Sequence, residues 1–167
     1  MTDLTLLERV EAILARHGIV PQPDGEDLTT YISCGLIGCR LRISQDDRML
    51  RCLISFPIYV PDYQRLPMAE ALCRINYSLF SGAMEMDFAD GELRFRNALP
   101  ILDSVPTEAL LDWLVFWSWS FAKRYAMALL EVAVGASDPE TAVAKVEAVG
   151  RQMLLEETKD FGCPCRS

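Results

Sequence analysis

Six cysteines and a single histidine are the residues of this 167-residue chain best equipped for chemistry. Cys34 and Cys39 face each other across a turn, and Cys163 and Cys165 stand near the end, so four thiolates could gather around zinc if the tail folded back. The spacings Cys-x4-Cys and Cys-x-Cys are looser than the Cys-x2-Cys knuckle that preorganises such sites. The residues therefore read as small core thiols at Cys34, Cys39, Cys52 and Cys73, with flexible thiols in the tail. Metal binding or thiol redox is the alternative that this reading leaves open. His17 closes a helix, and one histidine cannot assemble a His-based triad or a His-rich zinc site. No metal and no cofactor is expected.

Carboxylates are plentiful, but a general acid needs an apolar cleft to raise its pKa, and no stretch places one there. The segment Gly35-Leu36-Ile37-Gly38 is too short and too apolar to cradle a phosphate. The chain thus reads as a non-enzymatic protein. Its formal net charge of −8 argues against nucleic acid as a partner, because counterion release needs clustered Lys and Arg. Anionic membrane surfaces are disfavoured on the same ground, and neither nucleic acid nor membrane is expected as a partner. The longest apolar run, Trp113 to Ala122, is about half of a membrane span, and the first residues lack the basic and apolar regions of a secretory signal. A cytoplasmic protein with reduced cysteines is expected.

The elements that must position these residues follow from hydrophobic period. Leu6, Val10, Ile13 and Leu14 define a first helix, opened by a Thr5/Glu8 capping box and stopped at Gly18. Pro21 to Glu26 reads as a loop. The period then falls to two over Leu28–Cys34, Ile37–Ser44 and Met49–Phe56, three antiparallel strands. In the middle one Arg40 and Arg42 alternate with apolar residues, which predicts one buried and one wet face. A second helix spans Pro67–Ser81. Asp90-Gly91 signals a two-residue hairpin turn that pairs Met86 with Phe95, Asp87 with Arg94 and Glu85 with Arg96. A long helix, Pro106–Val134, starts near Ser104 or Val105 and carries Leu110, Leu114, Trp117, Phe121, Tyr125 and Val132 as its main stripe. A last helix opens at Ser137-Asp138-Pro139-Glu140 and reaches about Leu155. Residues 1–157 form one α+β domain, and 158–167 a flexible tail with two cysteines.

This order, together with Arg74-Ile75-Asn76 and the run Met86 to Arg96, resembles the YbjN-like bacterial family, whose name carries a role in regulating sensory transduction. The resemblance covers roughly residues 5–134. It implies the fold of type III secretion chaperones, α-β-β-β-α-β-β-α, with helices packed on a twisted antiparallel sheet and, beyond it, an extra C-terminal helix. It also implies a homodimer that binds a protein or peptide.

Two groups of residues are candidates for that contact. Trp113, Phe116 and Trp119 lie off the main stripe of the long helix, and a helix that is apolar all round is covered on more than one side. Arg40, Arg42, Arg94 and Arg96 would share a face if both hairpins belong to one sheet, where Glu85 and Asp87 would neutralise part of the band. The chain is read as a module that holds a segment of a client or regulator, by apolar burial or by strand addition.

Overall fold

The computed structural model describes residues 4–101 and 105–160. Helix α1, Leu6–Arg16, begins as the capping box predicts: Glu8 N–H donates to the Thr5 hydroxyl, and the Glu8 carboxylate accepts from Thr5 N–H at 2.7 Å. Leu6, Val10, Ile13 and Leu14 are its buried side. The segment expected as a loop then contains a short strand, β1 (Gln22–Asp24), paired with the next strand around Gly25-Glu26. Three exposed residues have no period to detect, so only the pairing partner reveals it.

Strands β2 (Asp27–Cys34), β3 (Ile37–Gln45) and β4 (Met49–Tyr59) form the expected meander. Helix α2, Arg65–Tyr77, follows a 3-10 turn at Asp62–Gln64. Strands β5 (Ala83–Met86) and β6 (Glu92–Pro100) complete a six-stranded antiparallel sheet in the order β1-β2-β3-β4-β6-β5. The long helix α3 is Glu108–Ala133, and α4 is Pro139–Asp160. The fold is therefore α+β in the expected order, with one short strand added.

The β5–β6 register differs from the expected one by two residues. Met86 pairs with Leu93, Glu85 with Arg94 and Met84 with Phe95. Residues 87–91 make the connection. Asp87 N–H donates to Glu92 O, and the Asp87 carboxylate accepts from Ala89 N–H, so Asp87 closes the loop instead of facing Arg94. A shift of two keeps every side chain on its own face, which is why alternation could not detect it. Contact with Val60, just after β4, decides it. Gly91, at φ +83°, accepts a hydrogen bond from Val60 N–H, and a Cβ there would lie 2.2 Å from the Val60 carbonyl oxygen.

One sheet face is the core floor, with Ile32, Leu41, Ile43, Ile54 and Phe95 all buried. Helix α3 crosses β2, β4 and β6 on this side, α1 flanks it, α2 lies along β5, and α4 packs on α2 and α3. Thr107 caps α3 by accepting from Leu110 N–H, in place of Val105; Ser104 lies outside the described residues. The buried stripe of α3 is also rotated from expectation. Leu111, Val115 and Ser118 join Leu114, Phe121 and Tyr125 inside, whereas Leu110 is 46 % exposed and Trp117 is only half-buried. Ser118 earns a core position through a buried network: Asn97 donates to its hydroxyl at 3.2 Å, and that hydroxyl donates to Leu114 O. The Asn97 carbonyl in turn accepts from Ser81 and from Ala98 N–H, leaving the network satisfied.

Candidate protein-binding surfaces

The side of α3 away from the sheet is aromatic. Trp113 and Trp117 stack with ring centres 6.2 Å apart and planes 10° from parallel. Phe80, from the segment after α2, lies 4.6 Å from Trp117 and is 74 % exposed. His17, the cap of α1, places its ring 4.1 Å from Phe116. Trp113, Phe116 and Trp117 are each half-buried. They sit against the hydrophobic core on one side and present their remaining ring surface outward. Among the described residues, the buried indole N–H of Trp117 has no hydrogen-bond partner, nor does the buried Oδ1 of Asp112. Trp119 differs from the other two tryptophans: its N–H donates to Ser33 O at 2.8 Å, which ties α3 to the end of β2. Of the three aromatic residues singled out in the sequence, Trp113 and Phe116 thus share this surface, while Trp119 has a bond that holds the fold. Trp117, Phe80 and His17 complete the cluster. The helical spacing of Trp117 from Leu114 and Phe121 predicts a core position for it, and Phe80 and His17 arrive from other elements.

The four arginines do come together. In the β3-β4-β6 part of the sheet, Arg40 aligns with Ser55 and Arg94, and Arg42 with Leu53 and Arg96. All four point away from the core, and Arg51 extends the group. Leu53 lies half-buried between the Arg42 and Arg96 positions, where their aliphatic stems can cover it. Charge balance differs in detail from the expectation. Glu85 alone serves Arg94 and Arg96, Asp27 pairs with Arg42, and Asp46 pairs with Arg51. Asp87 takes no part. Among the described residues Arg40 has no ion pair. Burial works to raise the Glu85 carboxyl, but hydrogen bonds from Arg96 and Arg94 outweigh it and hold the group below the usual glutamate range.

The cysteines separate. Cys34, Cys39 and Cys52 are sealed in the core, while Cys73, expected there too, lies exposed on α2 because the buried side of that helix is Met68, Ala71, Leu72 and Ile75. Cys34 and Cys39 sit diagonally on β2 and β3, and their hydrogen bond, with burial added, pushes Cys39 far above the thiolate range. Burial pushes Cys52 up to about 12. Cys163 and Cys165 lie outside the described residues. Among the described residues no three potential ligands cluster as a metal site would require, and no helix is long and apolar enough to cross a membrane.

Known proteins resemble this arrangement. The crystal structure of YbjN from E. coli, described as "a putative transcription regulator", superposes with a TM-score of 0.58 at 19 % identity. The match covers 80 % of this chain and 97 % of that one, and at this identity it speaks for the fold. No curated protein matches the sequence. The profile of the YbjN family, described as "Putative bacterial sensory transduction regulator", matches residues 6–131. With three quarters of its length matched by that profile, and with the fold in agreement, the chain belongs to the YbjN family.

Proposed function

We propose that this chain is a non-enzymatic regulatory module of the bacterial cytoplasm that works by binding a segment of another protein against the outer face of α3. The observation that carries the reading is the partly buried group of Trp113, Phe116 and Trp117, joined by the exposed ring of Phe80. Large rigid rings that are already partly desolvated lose little entropy on contact and gain much burial, which is the character of a binding hot spot. The family description, a regulator of sensory transduction, is in keeping with such a role.

The sheet edges are less suited to strand addition. Strand β1 has only three residues, one of them Pro23. On β5 the Asn76 side chain both donates to Met84 O and accepts from Met84 N–H, occupying the groups an added strand would need. Helix-against-helix docking on α3 is favoured instead. A regulator that recognises one folded partner fits this small ordered surface better than a chaperone that holds many extended clients, and homodimer formation belongs to the same proposal.

The test is affinity purification from the source cell under reducing conditions, comparing the native protein with Trp113→Ala and with Arg40→Ala. A stoichiometric partner lost with Trp113→Ala and kept with Arg40→Ala is expected. A partner retained by Trp113→Ala, or no partner at all, overturns the reading.

A further inference from the structure

Between α3 and α4 lies a groove of about 520 Å³, lined by Ser120, Lys123, Arg124, Lys145, Val146 and Val149. Its floor is apolar, and Val149 is 59 % exposed there. Its rim is cationic, on a protein whose formal net charge is −8 and which has only three lysines, two of them here. Lys123 and Arg124 make no ion pair among the described residues; Lys145 reaches Glu131 at 3.4 Å. Gly150 shapes the rim. A Cβ at that position would come within 2.5 Å of the Arg124 guanidinium, so the bare helix backbone is what lets Arg124 lie across α4.

Ser120 also borders the depression formed by Trp113, Phe116 and Trp117, so the two hollows adjoin along α3. From Trp113 to Arg124 the helix rises about 17 Å, or roughly three turns. The trough therefore has an aromatic end and a cationic end. Three turns suffice for a bound helix to insert side chains at i, i+3 or i+4, and i+7. A furrow between two helices accepts a third helix by the ridge-and-groove packing that any helix pair uses.

We propose that this trough seats an acidic amphipathic helix of the partner protein, its apolar stripe on Trp113, Trp117 and Val149 and its carboxylates on Lys123, Arg124 and Lys145. The proposal rests on the protein-binding reading above and narrows it to one class of partner. The cationic rim attracts such a helix at one end of the trough and thereby favours one orientation of it. A second copy of this chain is a poorer occupant. In a two-fold contact through the groove, the cationic rim would meet its own copy near the axis.

The probe is a designed 15-residue amphipathic helix with leucines on one face and glutamates beside them, compared with a peptide in which every glutamate is lysine. Binding is followed by fluorescence anisotropy on the full chain. The acidic peptide is expected to bind about tenfold more tightly than the basic one, with an affinity that falls as salt rises. Lys123→Glu/Lys145→Glu should abolish or reverse that preference, and Gly150→Ala, which displaces Arg124, should reduce it. Circular dichroism confirms that the variants fold, since both lysines are exposed. Equal binding of the two peptides, or no binding of either up to about 1 mM, overturns the proposal. So does a native dimer that Val149→Arg converts to monomer, because the groove then holds a second copy. Loss of the cellular partner with Trp113→Ala but not with Lys123→Glu/Lys145→Glu overturns this proposal alone and leaves the protein-binding reading standing.

Discussion

Helix α3 has two faces that look alike in sequence and differ in physics. Toward the sheet, Leu111, Leu114, Val115 and Phe121 are buried against β2, β4 and β6, and the single polar residue there, Ser118, is paired with Asn97. Away from the sheet, Trp113, Phe116 and Trp117 bring larger rings yet stay only partly buried. Hydrophobicity alone would rank the second face as the better core. What separates them is the supply of a partner surface: the sheet offers a broad apolar floor on one side, whereas the outer rings are flanked by the end of α1 and by Phe80 and keep part of their surface open.

Truncation is the strongest way to break this contrast. Phe95→Ala removes a fully buried ring from beneath Phe121 and is expected to cost about 3–5 kcal/mol, read from the midpoint of urea unfolding. Trp113→Ala should cost clearly less, about 1–2 kcal/mol, because part of its ring is already open to solvent. Equal losses would mean that the outer rings are core and would remove the basis of the binding surface.

A second substitution sharpens the comparison between a turn that only needs backbone freedom and one that is wedged against its neighbour. Gly25 and Gly91 both have positive φ, but a Cβ at Gly25 meets nothing within 4 Å, whereas one at Gly91 meets the Val60 backbone. Gly91→Ala is expected to destabilise by about 1–3 kcal/mol, clearly more than the roughly 1 kcal/mol of left-handed strain alone at Gly25→Ala. A similar cost at both sites, measured by thermal or chemical unfolding, would show that the loop is free to take the two-residue turn and its other register.

The smallest effect concerns the wet face of the sheet. Glu85 has its folded pKa lowered by Arg96 and Arg94, so its stabilising contribution is fully present above the ordinary glutamate pKa of about 4.3 and is lost as pH falls through the folded value. Glu85→Gln should remove that acid-side component while changing neutral stability by less than about 1 kcal/mol, because both arginines are largely solvated. If unfolding curves of the two proteins run parallel from neutral pH to below pH 4, the pairing contributes nothing and the arginine face is an open, uncommitted surface.

Much of this architecture was legible in the residues. The Thr5/Glu8 box, the alternation around Arg40 and Arg42, and the helical spacing of Leu114, Phe121 and Tyr125 are local patterns, and each led to the element that is observed. The sharing of one face by Arg40, Arg42, Arg94 and Arg96 was legible as a condition, and the β3-β4-β6 adjacency met it. The candidate surface was read in part. Trp113, Phe116 and Trp119 all depart from the stripe, and only the tertiary structure shows that Trp119 also bonds Ser33. Nothing in the periodicity marks Lys123, Lys145 and Val149 as neighbours, since they lie on two helices whose packing is not encoded in either one.

By itself the sequence determined most of the stretches that are helix and strand and which side of each strand is apolar. Those are properties of short-range period and of residue chemistry. Tertiary structure decided the rest: β1 exists only through its pairing with β2, the β5–β6 register is set by the contact of Gly91 with Val60, and the aromatic side of α3 remains partly open. Strand alternation repeats every two residues and helix patterning every 3.6, so a two-residue slip or the choice of which apolar face is covered leaves the pattern unchanged. Only steric contact between distant segments distinguishes those alternatives.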